Sequence, residues 1–422
     1  MKKIKQVKKY SISYNDDKPI IYGISQNPDT KSCMLILHEE SLDYCVKCNK
    51  MYTNTVYKWC KICQINYLRN NLTQRNSGNE KIDNFIQEMQ LKINHLNDRV
   101  FEWIPYDKFN NIKKIDKGST TVYSAKWKDG PLHYDWNKKL YTRNSNKSVI
   151  LKYLCNSLNL TNYFLNEQVG KYSINKKSNI INIYGISQNP ITNNYIVVLD
   201  YAEGGNFNNW MNKNYKNFYW IRKLNILLNI INGLREIHQK QMVYRNLHTG
   251  NVLFLRNNIS DFGNEISIFI ELCREVGNKD DMNEIKIYGV MPYVAPEVLR
   301  GKPYSQAADI YSFGMIMYFV ATGKQPFVNR AHDISLALDM LFRLNPDSRP
   351  NVVKIEELIR SFYNSCNSML GLHNHFKEAE DYRKLHLISF EKDKQTTHPQ
   401  AIYTSRLLNS FTNKIPQYDK TY

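Results

Sequence analysis

The chain has 422 residues, 42% of them hydrophobic, a net charge of +18 and a pI near 9.3. It is long enough for two or three domains with a full core, and it has no apolar run of the roughly 18 residues that mark a transmembrane helix. The basic start MKKIKQVKKY lacks the apolar stretch of a secretory signal, and lysine is spread beside abundant asparagine, so the charge reads as habit rather than a nucleic-acid patch. The expected location is cytoplasmic, with the nucleus as the alternative.

Residues 9–37 match residues 171–199 without a gap, at an offset of 162. Lys9-Tyr10-Ser11-Ile12 returns as Lys171-Tyr172-Ser173-Ile174, and Ile21 through Pro28 returns as Ile183 through Pro190. One repeat makes no solenoid, which needs about three units. Residues 1–40 therefore read as a duplicated fragment, either pairing as a stray hairpin or serving no purpose, the second being favoured.

Four of the eight cysteines are scattered; the others form Cys45-x2-Cys48-x11-Cys60-x2-Cys63. Two such knuckles supply four thiolates that can close a tetrahedron around zinc, as in a zinc ribbon. The spacer is shorter than the usual roughly 15–20 residues, and Tyr57 and Trp59 are placed to cover a small site. Four protein ligands leave no open position, so this zinc would be structural. The alternative is four free thiols in a reduced compartment. The module is assigned to residues 41–70. Residues 71–101 read as a polar linker with one amphipathic helix, in which Ile82, Phe85, Ile86, Met89 and Ile93 recur at spacings of three and four.

Beyond residue 102 the residues that carry chemistry come in a set order. A stretch from Ile115 to Tyr123 holds one glycine, Gly118, followed by Val122. Val149-Ile150-Leu151-Lys152 reads as a strand, and Glu167 follows 15 residues later within a helical pattern. Val198-Leu199-Asp200-Tyr201-Ala202 precedes a helix marked by Ile221, Leu224, Leu227, Leu228, Ile231 and Leu234. Then come Tyr244-Arg245-Asn246-Leu247-His248-Thr249-Gly250-Asn251 and, ten residues after Asn251, Asp261-Phe262-Gly263. Ala295-Pro296-Glu297, Asp309-Ile310-Tyr311-Ser312-Phe313-Gly314 and Arg349-Pro350 complete the set. Residues 364–422 read as a polar tail, with a short helix around Phe376-Lys377-Glu378-Ala379-Glu380-Asp381 and disorder after it.

This ordered set resembles the protein kinase signature H-R-D-L-x-x-x-N, D-F-G and A-P-E. Residues 102–363 are similar to the tyrosine-kinase-like serine/threonine kinases, of the kind expanded in certain fungi. The resemblance implies an α+β bilobal protein kinase fold, with five strands and one helix in a small lobe above a helical large lobe. ATP and Mg2+ would lie between them. It makes the second copy of the repeat the fourth and fifth strands of the small lobe. It places Gly118 and Val122 over the phosphates, Ile150 over adenine, and Lys152 on the phosphates with Glu167 as its salt-bridge partner. Leu199 becomes the gatekeeper, backbone groups of Asp200 and Ala202 meet the adenine edge, and Asn251 and Asp261 hold Mg2+. Glu297 pairs with Arg349, and Asp309 belongs to the large-lobe anchor helix.

The departures bear on activity. Only Gly118 survives of the glycines that let backbone N–H groups approach phosphate. Ile150 replaces a small alanine, and overpacking of that kind costs about 1–3 kcal/mol where nothing relaxes. Asn246 stands where the family has its catalytic aspartate, and losing a general base costs about 10²–10⁴-fold. Tyr244 replaces a histidine at a position that mainly packs. Residues 264–271 look inserted after Gly263, and about one helix is missing between Met340 and Arg343. The expected function is therefore an ATP/Mg-binding pseudokinase, weak or inactive in phosphotransfer, acting as a scaffold or regulator with a protein partner in signalling. The alternatives are an active serine/threonine kinase passing the γ-phosphate to protein hydroxyls, and a zinc-ribbon interaction or nucleic-acid-binding protein.

Overall fold

A computed structural model describes residues 21–37, 44–72, 76–115, 122–154, 179–256, 266–268, 287–341, 346–367, 373–385 and 397–412. Gly118, Glu167 and Asp261 lie outside the described residues.

The duplicated fragment forms a hairpin, β1 (Ile21–Gln26) antiparallel to β2 (Cys33–Leu37). Among the described residues neither strand pairs with any other. The cysteine module follows and runs into α1 (Lys61–Leu72). Next is α2 (Glu80–Leu91), started by Asn79, whose side chain accepts the Lys81 N–H. The helix expected in the 71–101 linker is thus present, and it does not float. Ile82, Phe85, Ile86 and Met89 are buried in one cluster with Phe101, Ile150, Val197 and Leu199.

The small lobe is built from β3 (Glu102–Trp103), β4 (Phe109–Lys114), β5 (Val122–Trp127), β6 (Leu132–Asp135), β7 (Leu140–Arg143), β8 (Lys147–Tyr153), β9 (Ile183–Gln188) and β10 (Tyr195–Asp200). Six of these form one sheet in the order β3-β9-β10-β8-β5-β4, antiparallel except where β3 runs parallel to β9. The resemblance implied five strands; the sixth is β3. It fits because Gly185 has no side chain, since a Cβ there would sit 1.9 Å from the Glu102 carbonyl oxygen. Buried Glu102 is held across the lobe by two bonds from Arg143, at 3.2 and 2.7 Å. Strands β8 and β10 are apolar on both faces, as a doubly covered sheet requires. One face meets the α2 cluster, and the other packs Val149, Leu151, Ile196 and Val198 against Phe109 and Trp127.

The hairpin β9–β10 repeats β1–β2 in detail. Ile183 faces Leu199, Gly185 faces Val198 and Gln188 faces Tyr195, matching Ile21–Leu37, Gly23–Ile36 and Gln26–Cys33, with the register break at the same place. The turns match as well. Asn27 Oδ1 accepts the Asp29 and Thr30 N–H groups, Asn189 Oδ1 accepts those of Ile191 and Thr192, and Lys31 and Asn193 both take φ 56°. Burial separates them. Ile186, Ile196 and Val198 are fully buried, whereas Ile24, Met34 and Ile36 are 50%, 48% and 49% exposed.

The large lobe runs through β11 (Gly205–Asn206), α3 (Phe207–Asn214), α4 (Trp220–Gln239), β12 (Val252–Phe254), β13 (Ile266–Ile268), β14 (Tyr288–Gly289), α5 (Pro296–Leu299), α6 (Gln306–Thr322), α7 (Ile334–Leu341), α8 (Val352–Asn367), α9 (His373–Leu385) and β15 (Arg406–Leu407). The predicted stripe of α4 is its core face: Leu224, Leu227, Leu228, Ile231 and Leu234 are buried with Ile310, Phe313 and Ile316 of α6 and Ile355 and Ile359 of α8. The predicted tail helix is α9, docked on the start of α4. Phe376 packs its ring on Trp220 at 6.2 Å, Glu380 accepts the Trp220 N–H, and Arg383 donates to the Lys216 carbonyl. The tail does not end there as a free segment, because residues 397–412 return to the lobe and supply β15.

Candidate nucleotide site and cysteine cluster

Lys152 lies on β8 between Val122 of β5 and Val197 of β10, with its side chain buried. Val122, Ile150 and Leu199 belong to one apolar cluster, and Leu253 of β12 packs on that cluster from the large lobe. Together they bring apolar side chains of both lobes into one cluster beside Lys152. Leu253 belongs to none of the motifs. Its only signal in the sequence is the alternation in β12, where the buried Val252 and Phe254 point the other way.

Beyond Leu199 the chain crosses between the lobes. The Asp200 carboxylate accepts Asn182 Nδ2 at 3.0 Å and pairs with Lys147 at 2.9 Å, so it serves the fold. The Asp200 N–H donates to the Asn182 carbonyl, and the Ala202 carbonyl accepts the Gly205 N–H.

Asp309, at the start of α6, organises the loop that carries Asn246. One carboxylate oxygen accepts the Tyr244 N–H at 2.8 Å and meets His238 Nε2 at 2.9 Å; the other accepts the Arg245 N–H at 2.9 Å. Arg245 sits at φ 72°, a left-handed conformation that costs a non-glycine residue about 1–3 kcal/mol when imposed. Charge-assisted bonds to a buried carboxylate offset that cost. Tyr244 packs against the clusters of both lobes, in line with its expected packing role. Asn246 follows and is buried, and Asn251 Nδ2 donates to its carbonyl at 2.9 Å. That bond uses the Asn251 amide nitrogen, not its oxygen.

His248 was not singled out from the motifs, although it lies two residues past Asn246. Its Nδ1 accepts the Gly250 N–H at 3.1 Å, which in the neutral ring leaves the proton on Nε2. Thr249 accepts from Gln325 at 3.1 Å, and Gln325 accepts the Tyr293 hydroxyl at 2.6 Å. Burial pushes the Tyr293 hydroxyl up, so it stays a proton donor.

Strand β12 leaves Asn251 and is paired by β13, with Val252 facing Ile268 and Phe254 facing Ile266. The chain returns to Asn251 at Ile268. Asp261, five residues before β13 in the sequence, is outside the described residues. Part of the apolar stretch 264–271 is accommodated in β13, since Ile266 is buried.

Glu297 and Arg349 meet through two bonds, and Arg349 also donates to the Ala307 carbonyl at 2.9 Å. His238 itself is fixed from behind, as Gln306 donates to its carbonyl.

The sulfurs of Cys45, Cys48, Cys60 and Cys63 all lie within 4.8 Å of one another, with Cys45–Cys63 at 3.6 Å and Cys48–Cys60 at 3.5 Å. A zinc tetrahedron with bonds of about 2.3 Å sets its sulfurs about 3.8 Å apart, so the donor set fits. Burial penalises the Cys45 thiolate, but the N–H groups of Lys47 and Cys48 and the thiols of Cys63 and Cys60 together outweigh it and bring the thiol to about 7. Burial and the neighbouring sulfurs push Cys63 up, a trend that a bound dication reverses. Trp59 is fully buried beside the cluster, in a core with Ile65, Leu68, Tyr134 and Tyr141 that ties the module to the β6–β7 hairpin. Tyr57, also expected as a cover, is exposed.

Residues 137–372, more than half of the chain, match the protein kinase domain family, and the chain belongs to it. It is 25% identical over 297 residues to the probable serine/threonine-protein kinase gdt4 of Dictyostelium discoideum, covering 63% of this chain and 16% of that protein. It is 28% identical over 221 residues to the mitogen-activated protein kinase kinase kinase nsy-1 of Caenorhabditis elegans, covering 48% and 13%. Similarity to the serine/threonine/tyrosine-protein kinase HT1 of Arabidopsis thaliana is 30% over 137 residues, covering 32% and 33%. The chain thus spans a third or less of the length of these relatives.

Proposed function

We propose that this chain is an ATP-binding protein kinase fold with weak or absent phosphotransfer, acting as a scaffold or regulator of a protein partner in signalling. One observation carries the reading: the frame around the catalytic loop is intact, from Asp309 to Arg245, yet the residue it positions is the amide Asn246. An amide keeps the shape of aspartate but cannot take the substrate hydroxyl proton, and the loss of such a base typically costs about 10²–10⁴-fold. ATP, when bound, supplies the γ-phosphate. Lys152 would hold its phosphates with Glu167 as partner, Gly118 and Val122 would cover them, and Val122, Ile150, Leu199 and Leu253 would enclose the base. The Asp200 carbonyl and the Ala202 N–H would meet its edge. Mg2+ would be held by the Asn251 oxygen with Asp261.

A second reading, active phosphotransfer to protein hydroxyls, is favoured by the serine/threonine kinase names of the relatives. The experiment compares the chain with Lys152→Met and Asn246→Asp. Mg·ATP should raise the melting temperature of the chain and not that of Lys152→Met. Asn246→Asp should increase phosphate transfer to a generic protein substrate about a hundredfold. An unaltered chain already as fast as Asn246→Asp would favour the second reading, and no ATP-induced shift would remove the nucleotide.

The four cysteines are proposed to hold one structural zinc, which fastens the N-terminal module to the small lobe through Trp59.

A further inference from the structure

The family match ends at residue 372, yet residues 397–412 are laid along the large lobe by a continuous set of bonds. The His398 N–H donates to the Val328 carbonyl and the His332 N–H to the Gln400 carbonyl, at 2.8 and 3.1 Å. Tyr403 donates its hydroxyl to the Pro326 carbonyl, and Arg406 donates to the His332 carbonyl, both at 2.8 Å. Strand β15 then pairs antiparallel with β14, Leu407 facing Tyr288 and Arg406 facing Gly289. Leu408 donates to the Ile287 carbonyl at 2.8 Å, and Asn409 Oδ1 accepts the Ile287 N–H at 2.8 Å. The Leu408 side chain is fully buried among Ile287, Met291, Val294 and Leu336.

These are the two components of strand addition: main-chain bonds along an edge, and a pocket for an alternate side chain. The edge has a particular address. A Cβ built on Gly289 would stand 3.7 Å from Asn246 Oδ1, so the tail strand lies one strand away from the amide in the catalytic loop. Strand β14 also leads directly into Met291-Pro292-Tyr293-Val294-Ala295-Pro296-Glu297.

We propose that the edge of β14 and the Leu408 pocket form a peptide-docking site, and that residues 397–412 are its built-in, displaceable occupant. The ligand class in trans is an extended segment with a leucine for the pocket and a basic residue two positions before it, as in Arg406-Leu407-Leu408. While the tail is seated, no other protein chain reaches the loop of Asn246 along this edge. Covalent attachment gives the tail a high effective concentration, so it excludes a free peptide of equal intrinsic affinity. The docking claim is independent of nucleotide binding and of phosphotransfer.

The test uses the full chain and the double variant Leu408→Ala/Asn409→Ala, with a fluorescein-labelled peptide of residues 397–412 as the probe. Anisotropy should show binding to the variant at least about tenfold tighter than to the unaltered chain. The same peptide carrying Leu408→Asp should bind neither. Equal binding to both chains, or none to a variant that keeps its circular dichroism, would overturn the proposal and leave the tail as a fixed part of the lobe. Should the variant fail to fold, hydrogen exchange on the unaltered chain decides. A displaceable tail exchanges at Leu407 and Leu408 at least about a hundredfold faster than Leu234 and Val320. Exchange as slow as in those core residues would end the idea.

Discussion

The guanidinium of Arg349 and the carboxylate of Glu297 face each other through two parallel bonds of 2.7 and 2.8 Å, with both side chains 7% exposed. Removing one partner strands a buried charge, which costs about 3–5 kcal/mol. Arg349→Met should therefore lower the unfolding free energy by that amount in urea titrations. A loss below about 1 kcal/mol would mean that solvent reaches the pair.

Asp309 accepts two backbone N–H groups of the loop carrying Asn246, from Tyr244 and Arg245. Asp309→Ala leaves both donors without their acceptor, at about 1–3 kcal/mol each. It also frees Arg245 from its left-handed backbone. The variant should melt lower and lose any Mg·ATP-induced shift, even though Asp309 does not belong to the nucleotide walls. An unchanged shift would show that the loop holds itself.

Metal analysis of purified protein should find close to one zinc per chain. Cys48→Ser or a strong chelator should expose Trp59, read as a red shift in its fluorescence, because the tryptophan shares a core with Ile65 and Leu68 of α1. A zinc content near zero with Trp59 still buried would leave four free thiols.

His332 provides a pH dependence. Burial lowers its ring below the ordinary imidazole range, bonding to the Ile402 and Phe327 backbone opposes that, and the charges of Arg406 and His398 lower it further. Nδ1 lies 3.0 Å from both N and O of Ile402, so the neutral ring accepts the Ile402 N–H and a protonated ring must give it up. A folded-state value below the unfolded one of about 6.5 means stability is full above that pH and is lost as pH falls below it. Hydrogen exchange over residues 397–412 should therefore accelerate between about pH 7.5 and 5.5, beyond the intrinsic effect. His332→Phe should flatten the change; an identical pH response in that variant would place the titration elsewhere.

The two-lobed frame was legible because its signals are local. Lys152 ends an apolar strand, the helical stripe from Leu224 to Leu234 has a single period, and Asp309, Glu297 and Arg349 sit at motif spacings. The cysteine cluster was legible for the same reason. What was not legible depends on pairing between distant residues. Nothing near Glu102 announces a sixth strand, since the space for it comes from Gly185. The apolar stripe of α2 was clear, while its destination in the small-lobe core was set by Ile150 and Val197. Leu408 gave no sign that it packs on Ile287 and Met291, more than a hundred residues upstream, because nothing in its sequence separates it from its exposed neighbour Leu407. The pairing of β12 with the stretch 266–268, which buries Ile266, had no local signal either, since those residues read as an insertion.

The two copies of Ile-Tyr-Gly-Ile-Ser-Gln-Asn-Pro amount to a controlled comparison carried within one molecule. Their surroundings differ as far as surroundings can, one sealed inside the lobe and the other open to water, yet cross-strand partners, register break and turn geometry coincide. Alignment of this hairpin is therefore written in its own dozen or so residues, chiefly the asparagine that closes the turn, and owes nothing to the sheet that later receives it. In the small lobe, β9 and β10 can arrive already zipped, and the surrounding strands need only dock on a finished piece.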